Sequence, residues 1–219
     1  MAKSSVHNHL KTLEQLGYVV RDESGSRVSM QLFQLGTCLR SRKELYKCAR
    51  SEVDRLSSST GLNAGLVVEE HGLGYCLYSR AGKDLDSVVI EEGEEIPLHA
   101  TAVGKAMLAE IPRKETEQIL DQHGTDLFTE KTITNREELI DTLETIKNHR
   151  VAFEENEFHD NVRAIGIAIT GKNDRLIGGL FVAGDSESLT GKQLHQNNPG
   201  LLISAKNRLG NPAQPPTKE

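Results

Sequence analysis

The chain has 219 residues, 37% hydrophobic and 26% charged, with a net charge of −6 and three cysteines. That composition fits a soluble globular protein with one substantial core and room for a small appendage. It excludes several classes. No apolar run approaches the ~18–20 residues of a membrane-spanning helix, and the N-terminus lacks the apolar stretch of a signal peptide. Cys38, Cys48 and Cys76 have neither the count of a disulfide framework nor zinc-ligand spacing, which fits a reducing cytosol.

The charge is unevenly spread. Residues 1–50 carry nine Lys and Arg against four Asp and Glu, whereas the remainder carries 17 against 28. A nucleic-acid-reading end joined to a different working domain has this asymmetry, as does a surface whose charge is merely uneven.

The chain opens on "KSSVHNHLKTLEQLGYVVRD". Ser4 and Ser5 are good N-caps, Val6, Leu10 and Leu13 recur at helical spacing, and Gly17 is a C-terminal stop. Ser4, Asn8, Lys11 and Gln15 stand opposite the apolar stripe, where polar side chains reach phosphates and base edges. His7 lies nearer that polar face and His9 nearer the core edge. On a helix the two point about 200° apart, so the H-x-H pair cannot share one ion. Two short extended runs then flank the polar turn "RDESGSR", which reads as a β-hairpin. A helix followed at once by a hairpin is the second half of a winged helix-turn-helix, with Arg21 and Arg27 at the shoulders of the wing. The same pattern also fits an ordinary helix-hairpin corner. The DNA-contacting set is thus Ser4, Ser5, His7, Asn8, Lys11, Arg21 and Arg27.

A linker helix is expected over 30–42, carrying Met30, Phe33, Leu35, Cys38 and Leu39. A longer helix over 43–59 is lined by Leu45, Ala49, Val53 and Leu56. "LNAGLVVEE" and "LGYCLYSR" form strands joined at Glu70-His71-Gly72, and "SVVIEE" reads as a third strand. "IPLHATAVGKAMLAEIP" is a loop entering a short helix that Pro112 ends. Thr134 to Glu137 is a capping box opening a helix whose Leu139, Ile140, Leu143 and Ile146 face inward. "VAFEENEF" starts extended, and "VRAIGIAIT" and "RLIGGLFVAG" make a hairpin around 171–174. A last helical region covers 190–209, broken or kinked at Pro199-Gly200. The Pro-rich end, 211–219, is expected to be disordered.

Gly104-Lys105 resembles the end of a phosphate-binding loop, but His99 stands where the first Gly belongs and Ala106 where Ser or Thr is required. "GLGYCL" fails the dinucleotide fingerprint because Leu77 replaces its third Gly. The better reading is a helix N-terminus beginning near Ala102, capped by Thr101 or a neighbouring backbone position. The small residues Ala100, Ala102 and Gly104 leave its N–H groups reachable by an anion or carboxylate. A tightly packed helix start without ligand has the same residues. Glu91, Glu92, Glu94 and Glu95 read as a solvated turn. Glu155 and Glu157, alternate on a strand beside Glu154, His159 and Asp160, could meet an ion, although a structural role is favoured. No metal, cofactor or catalytic residue is assigned, since no nucleophile elbow, cysteine-histidine couple or acid/base pair stands at recognisable spacing. Cys76 lies in a strand pattern and reads as core.

Three segments in order, "KSSVHNHLKTLEQLGYVVRD", "IPLHATAVGKAMLAE" and "VAFEENEFHDNVRAIGIAI" with "GGLFVAG", resemble the IclR family of transcriptional regulators. The resemblance spans nearly the whole chain, and the second segment is its most specific part. It implies an α+β fold, namely a partial winged helix-turn-helix (1–31), a linker helix (32–43) and a GAF-like antiparallel-sheet effector domain (44–210). It also implies operator DNA as partner, a small organic acid as effector and a homodimer or tetramer. Two helices would precede the recognition helix in that family, so this chain alone is expected to read an operator poorly. Val6, Leu10 and Leu13 would lack packing partners worth ~1.5–3 kcal/mol each.

By the same resemblance the effector pocket is lined by Leu85, Val88, Ile96, Ala102, Val103, Glu154, Val162, Ala164, Phe181 and Ala183. Family members often hold polar side chains at several of these positions. Here Glu154 keeps its acid, while Ala164, Phe181 and Ala183 offer no hydroxyl or thiol. A more apolar or aromatic effector, polar at one end, is expected. Two other functions compete with the regulator: a stand-alone sensor without DNA binding, and an enzyme on a GAF-like fold.

Overall fold

The computed structural model describes residues 3–83 and 89–210. They divide into two compact units, one ending at Lys43 and the other starting at Glu44.

The first unit is a helix, a two-stranded hairpin and a second helix: α1 (Lys3–Gln15), β1 (Val19–Asp22), β2 (Gly25–Val28) and α2 (Met30–Arg42). Helix α1 already includes Ser4 and Ser5, so the two serines sit in its first turn instead of capping it. After α1, the N–H of Gly17 donates to Glu14, and Gly17 takes φ +81°, a left-handed stop that glycine adopts without penalty. The strands reach further into the polar segment than its composition suggests. Asp22 pairs with Gly25, leaving a turn of Glu23 and Ser24. The Asp22 carboxylate accepts from Ser24 and Arg27 and fastens this turn. Helix α2 is capped by Ser29, whose hydroxyl accepts from Gln31 N–H. No residue of α1 or α2 is buried, and Val6 and Leu13 are exposed.

The second unit is one antiparallel sheet with helices on both faces. Its elements are α3 (Glu44–Thr60), β3 (Asn63–Glu70), β4 (Leu73–Arg80), β5 (Glu95–Ile96), α4 (Ala102–Glu110), α5 (Arg113–His123), α6 (Arg136–His149), β6 (Ala152–Glu155), β7 (Val162–Thr170), β8 (Leu176–Asp185) and α7 (Asn198–Leu209). The strand order is β5-β4-β3-β8-β7-β6. His71 and Gly72 join β3 to β4, both at positive φ, the backbone a tight hairpin between twisted strands requires.

The central strands alternate bulk between the two faces. On β7, Ile165, Ile167 and Ile169 join the core formed with α3 and α7, while Ala164 and Ala168 join the core beneath α4 and α6. On β8, Leu180 and Val182 face the first core, and Phe181 and Ala183 the second. Both faces are covered, so these strands read as continuous apolar runs. The small residues on one face let α4 lie close to the sheet. A Cβ on Gly166 would meet Val103 N at 2.4 Å and Ala102 C at 2.5 Å, so only glycine admits the first turn of α4 there.

Several expectations are corrected. No strand forms over the described part of "SVVIEE". Val89 and Ile90 are bends, and the edge strand is the two-residue β5, which pairs with Gly74 and Tyr75. Helix α6 is capped one residue later than Thr134: the Asn135 side chain accepts from Glu138 N–H. Helix α5, unanticipated, follows Pro112 and buries only Thr116 and Leu120. Pro199 enters at the first turn of α7, where its missing N–H costs nothing, after a π-helical turn over Gln193–Asn197. The expected disordered end at 211–219 lies outside the described residues, as do Leu85 and Val88. Among the described residues, no helix is long and apolar enough to cross a membrane.

Candidate functional site: the start of helix α4

Thr101 shapes the entry to α4. Its hydroxyl donates to Pro97 O at 2.9 Å and accepts from Gly104 N–H at 3.2 Å. The loop thus closes over the first turn and satisfies one of the helix's free amides. The Ala102 amide is satisfied from far away in sequence, by the carboxylate of Glu154 on β6, at 3.3 Å. The other Glu154 oxygen accepts from Phe158 N–H at 3.2 Å.

Strand register explains the placement of Glu154. It pairs with Ala164 on β7, Ala164 pairs with Ala183 on β8, and Asn63 of β3 pairs with Ala183. Directly paired residues share a face. One row therefore crosses four strands under the start of α4, with an acid at one end and an amide at the other. Asn63 is fully buried and satisfied. It donates to Arg80 O at 2.9 Å and accepts from Val89 N–H at 3.2 Å. Phe181 lies over Gly65, its neighbour on β3, where a Cβ would sit 2.3 Å from the ring.

Of the ten effector residues expected, eight are described. Ile96, Ala102, Val103, Ala164, Phe181 and Ala183 belong to one buried cluster, Val162 packs against it, and Glu154 reaches it through the Ala102 amide.

Glu154 is only 4% exposed. Burial pushes its pKa up to about 7, against the pull of two backbone N–H bonds and of Lys105. Lys105, on α4, is 1% exposed and pairs with Glu157 from the turn after β6. Burial also raises the Glu157 carboxyl, with Lys105 opposing. Its Oε2 is buried without a hydrogen-bond partner. Thr132 holds the Glu157 turn by donating to its carbonyl at 2.6 Å, and Thr129 donates to Asn156 O at 2.6 Å.

Glu155 and Glu157 do not share a face. Asn156, at φ +64°, ends the strand between them. Glu155 turns to Arg163 (3.4 Å) and His195 (3.7 Å), whereas Glu157 turns to Lys105. The alternation expected for an ion-binding pair stops one residue too early. The roles of Lys105 and Asn63 were not anticipated. The available signal was a lysine inside the otherwise apolar helix "AVGKAMLA", since a buried lysine requires a partner.

Next to this cluster is a cavity of about 310 Å3, lined among others by Ile96, His99, His123, Asp126, Phe128 and Phe158. The His99 ring donates from Nε2 to Asp126 O at 3.0 Å, and burial lowers its pKa. Phe158 is common to both places: its amide holds Glu154 and its side lines the cavity.

In the first unit, Ser4, His7, Asn8 and Lys11 on α1 and Arg21 and Arg27 on the hairpin are exposed, while Ser5 is half-buried. Arg27 is bound to Asp22 at 2.9 Å.

Residues 38–207 match the family described as bacterial transcriptional regulator IclR C-terminal, and residues 1–23 match the IclR helix-turn-helix domain. The chain belongs to the IclR family of bacterial transcriptional regulators, which join a DNA-binding helix-turn-helix unit to an effector-binding unit. It is 26% identical over 220 residues to the HTH-type transcriptional regulator XynR of Escherichia coli, covering 97% of this chain and 86% of that one. The fold is shared with an IclR family regulator from Brucella abortus, at a TM-score of 0.82, 21% identity and coverage of 98% and 81% of the two chains. It is also shared with the inducer-binding domain of PobR from Acinetobacter, crystallised with 3-hydroxybenzoic acid. There the TM-score is 0.68 at 22% identity, covering 75% of this chain and 97% of that one.

Proposed function

We propose that the second unit binds a small organic acid, an aromatic one by preference, at the start of α4, and that this binding alters DNA contact by the first unit. The observation that carries the reading is the meeting of the Ala102 amide with the buried Glu154 carboxylate above a floor of Ala164, Ala183 and Phe181. A helix N-terminus favours an anion, and the apolar floor favours a ring. The PobR complex, which shares this fold, supports an aromatic acid. Leu85 and Val88, outside the described residues, join this lining only through the family resemblance. Ser4, Ser5, His7, Asn8, Lys11, Arg21 and Arg27 are proposed to contact DNA. The working form is proposed to be a cytoplasmic homodimer or tetramer that binds its effector without converting it.

The test is a thermal-shift series at pH 6 with benzoate, 3-hydroxybenzoate, glyoxylate and pyruvate. A ligand bound only by the folded state raises stability, by ~2.7 kcal/mol at a hundredfold excess over Kd. The two aromatic acids are expected to raise the melting temperature and to be recovered unchanged. Micromolar saturation by glyoxylate or pyruvate with no response to the aromatic acids would overturn the aromatic preference, and turnover would favour an enzyme.

A further inference from the structure

The amide that would receive a ligand carboxylate is already occupied by one of the protein's own. Ala102 N–H points at Glu154, and Gly104 N–H is taken by Thr101. Around Glu154 the charges do not balance. Lys105 on α4 faces it, and so does Glu157 from the turn after β6. The Lys105 ammonium is bonded to Glu157, whose second oxygen is itself without a partner. The neighbouring strands add no cation. Ala164 of β7 is in register with Glu154, and Ala183 and Phe181 of β8 lie beyond it. Arg163 belongs to the opposite face with Glu155, where it donates to Ser186 O and Leu189 O. His99, ahead of α4, donates to Asp126 O, and burial lowers its pKa and so disfavours its charged form. Among the described residues, then, two acids share one base.

We propose that this site takes its acid ligand together with a proton: the carboxylate that reaches Ala102 is bound while Glu154 is neutral, or shares one proton with it. This rests on the acid-effector reading above and specifies the ionisation state in which the effector is held. Two carboxylates competing for one amide among buried apolar side chains cannot both stay charged, because like charges at hydrogen-bond distance disfavour the second ionisation. A third carboxylate beside a single lysine would face uncompensated repulsion at low dielectric. Glutamate is long enough to reach the helix amide when ionised. When protonated, it becomes a donor that can bond the incoming carboxylate. The raised carboxyl of Glu154 places the uptake near neutral pH.

The sign follows directly. Below about pH 7, Glu154 is already neutral in the free protein, and binding takes up no proton. Above it, each ligand must bring one, so the apparent Kd rises about tenfold per pH unit.

The experiment is calorimetric titration of the full chain with benzoate and with 3-hydroxybenzoate between pH 5.5 and 8.5. At pH 8 it is repeated in two buffers of different ionisation enthalpy, which yields the protons taken up without any variant. The expected result is close to one proton per ligand at pH 8, little or none at pH 6, and a Kd that weakens about tenfold between pH 7.5 and 8.5. Glu154→Gln, neutral at every pH, is expected to bind with a flat profile. At pH 8 it should bind roughly ten times tighter than the parent chain. Binding with equal Kd at pH 6 and 8.5 and no proton uptake would overturn the proton-linked mode and leave the acid-effector reading standing. Binding of neither acid at any pH would overturn both.

Discussion

Lys105 and Glu157, 52 residues apart in sequence, form a buried ion pair between helix α4 and the turn that follows β6. The lysine has no exposed route to water at 1% accessibility, and the glutamate is 8% exposed. Breaking such a pair from one side strands the other charge, which costs roughly 3–5 kcal/mol, whereas replacing both partners by apolar groups can be nearly neutral. Lys105→Met is therefore expected to lower the unfolding free energy obtained from urea titration by that amount, and Lys105→Met with Glu157→Met to restore most of it. Equal loss in the single and double variants would show that the pair does not act as a unit.

Stability should depend on pH through Glu154. Its carboxyl lies at an ordinary 4.5 when unfolded and about 7 when folded, because burial disfavours its charged form. The folded chain thus holds a proton that the unfolded chain releases. The stabilisation is complete below about pH 4.5 and is lost as pH rises to 7, by an amount on the order of 3 kcal/mol. Glu157, also raised by burial, acts in the same direction. Asp185, held low chiefly by the Ser188 amide, titrates below this window. Urea titrations at pH 5 and pH 8 should show the parent chain losing stability with rising pH and Glu154→Gln losing less. His99, whose pKa burial lowers, acts in the opposite direction, so the difference between parent and variant is the measure, and an equal change in both would refute the assignment.

Two glycines should respond in opposite ways. Gly166→Ala would set a Cβ against the backbone of Ala102 and Val103, so α4 must shift off the sheet. The expected cost is ~2–4 kcal/mol, together with loss of acid binding in the thermal-shift assay. Gly36→Ala, inside α2 with nothing within 4 Å, should raise helix stability by ~0.5–1 kcal/mol. Circular dichroism melts of both variants decide the matter.

DNA contact is proposed for α1 and the hairpin, and salt dependence tests it. Lys11→Ala or Arg21→Ala should weaken binding to duplex DNA at every sequence and reduce the log–log salt slope by ~0.9. Arg27→Ala should have a smaller effect, because Asp22 already neutralises that guanidinium. Fluorescence anisotropy at several salt concentrations provides the slopes, and an unchanged slope for Lys11→Ala would remove that residue from the interface.

Legibility followed the range of the signal. The hairpins at His71-Gly72 and around 171–174 were readable because turn chemistry is local. Helices α3 and α6 were readable because Leu45, Ala49, Val53 and Leu56, and Leu139, Leu143 and Ile146, repeat at helical spacing. Helix α5 was missed because it buries only two side chains and has almost no apolar stripe. The cap of α6 slipped by one because Thr134 and Asn135 are both capable caps with a glutamate three residues on. The start of α4 at Ala102 and its Thr101 cap were readable from the small residues of "LHATAVGKAM", whereas the partners from the strands after residue 151 were legible only as a resemblance.

Residue order alone marks which segments can be helix, strand or turn, that a basic stretch precedes an acidic one, and which family motif lies at Ala102. Tertiary structure alone decided that the Glu154 carboxylate would answer the Ala102 amide, that Lys105 would find Glu157, and that Glu155 would turn away. Local periodicity extends only a few residues, whereas these meetings depend on strand order and register that bring β6 beneath α4. Whether an acid is charged depends on how much water its neighbours exclude, and only packing sets that.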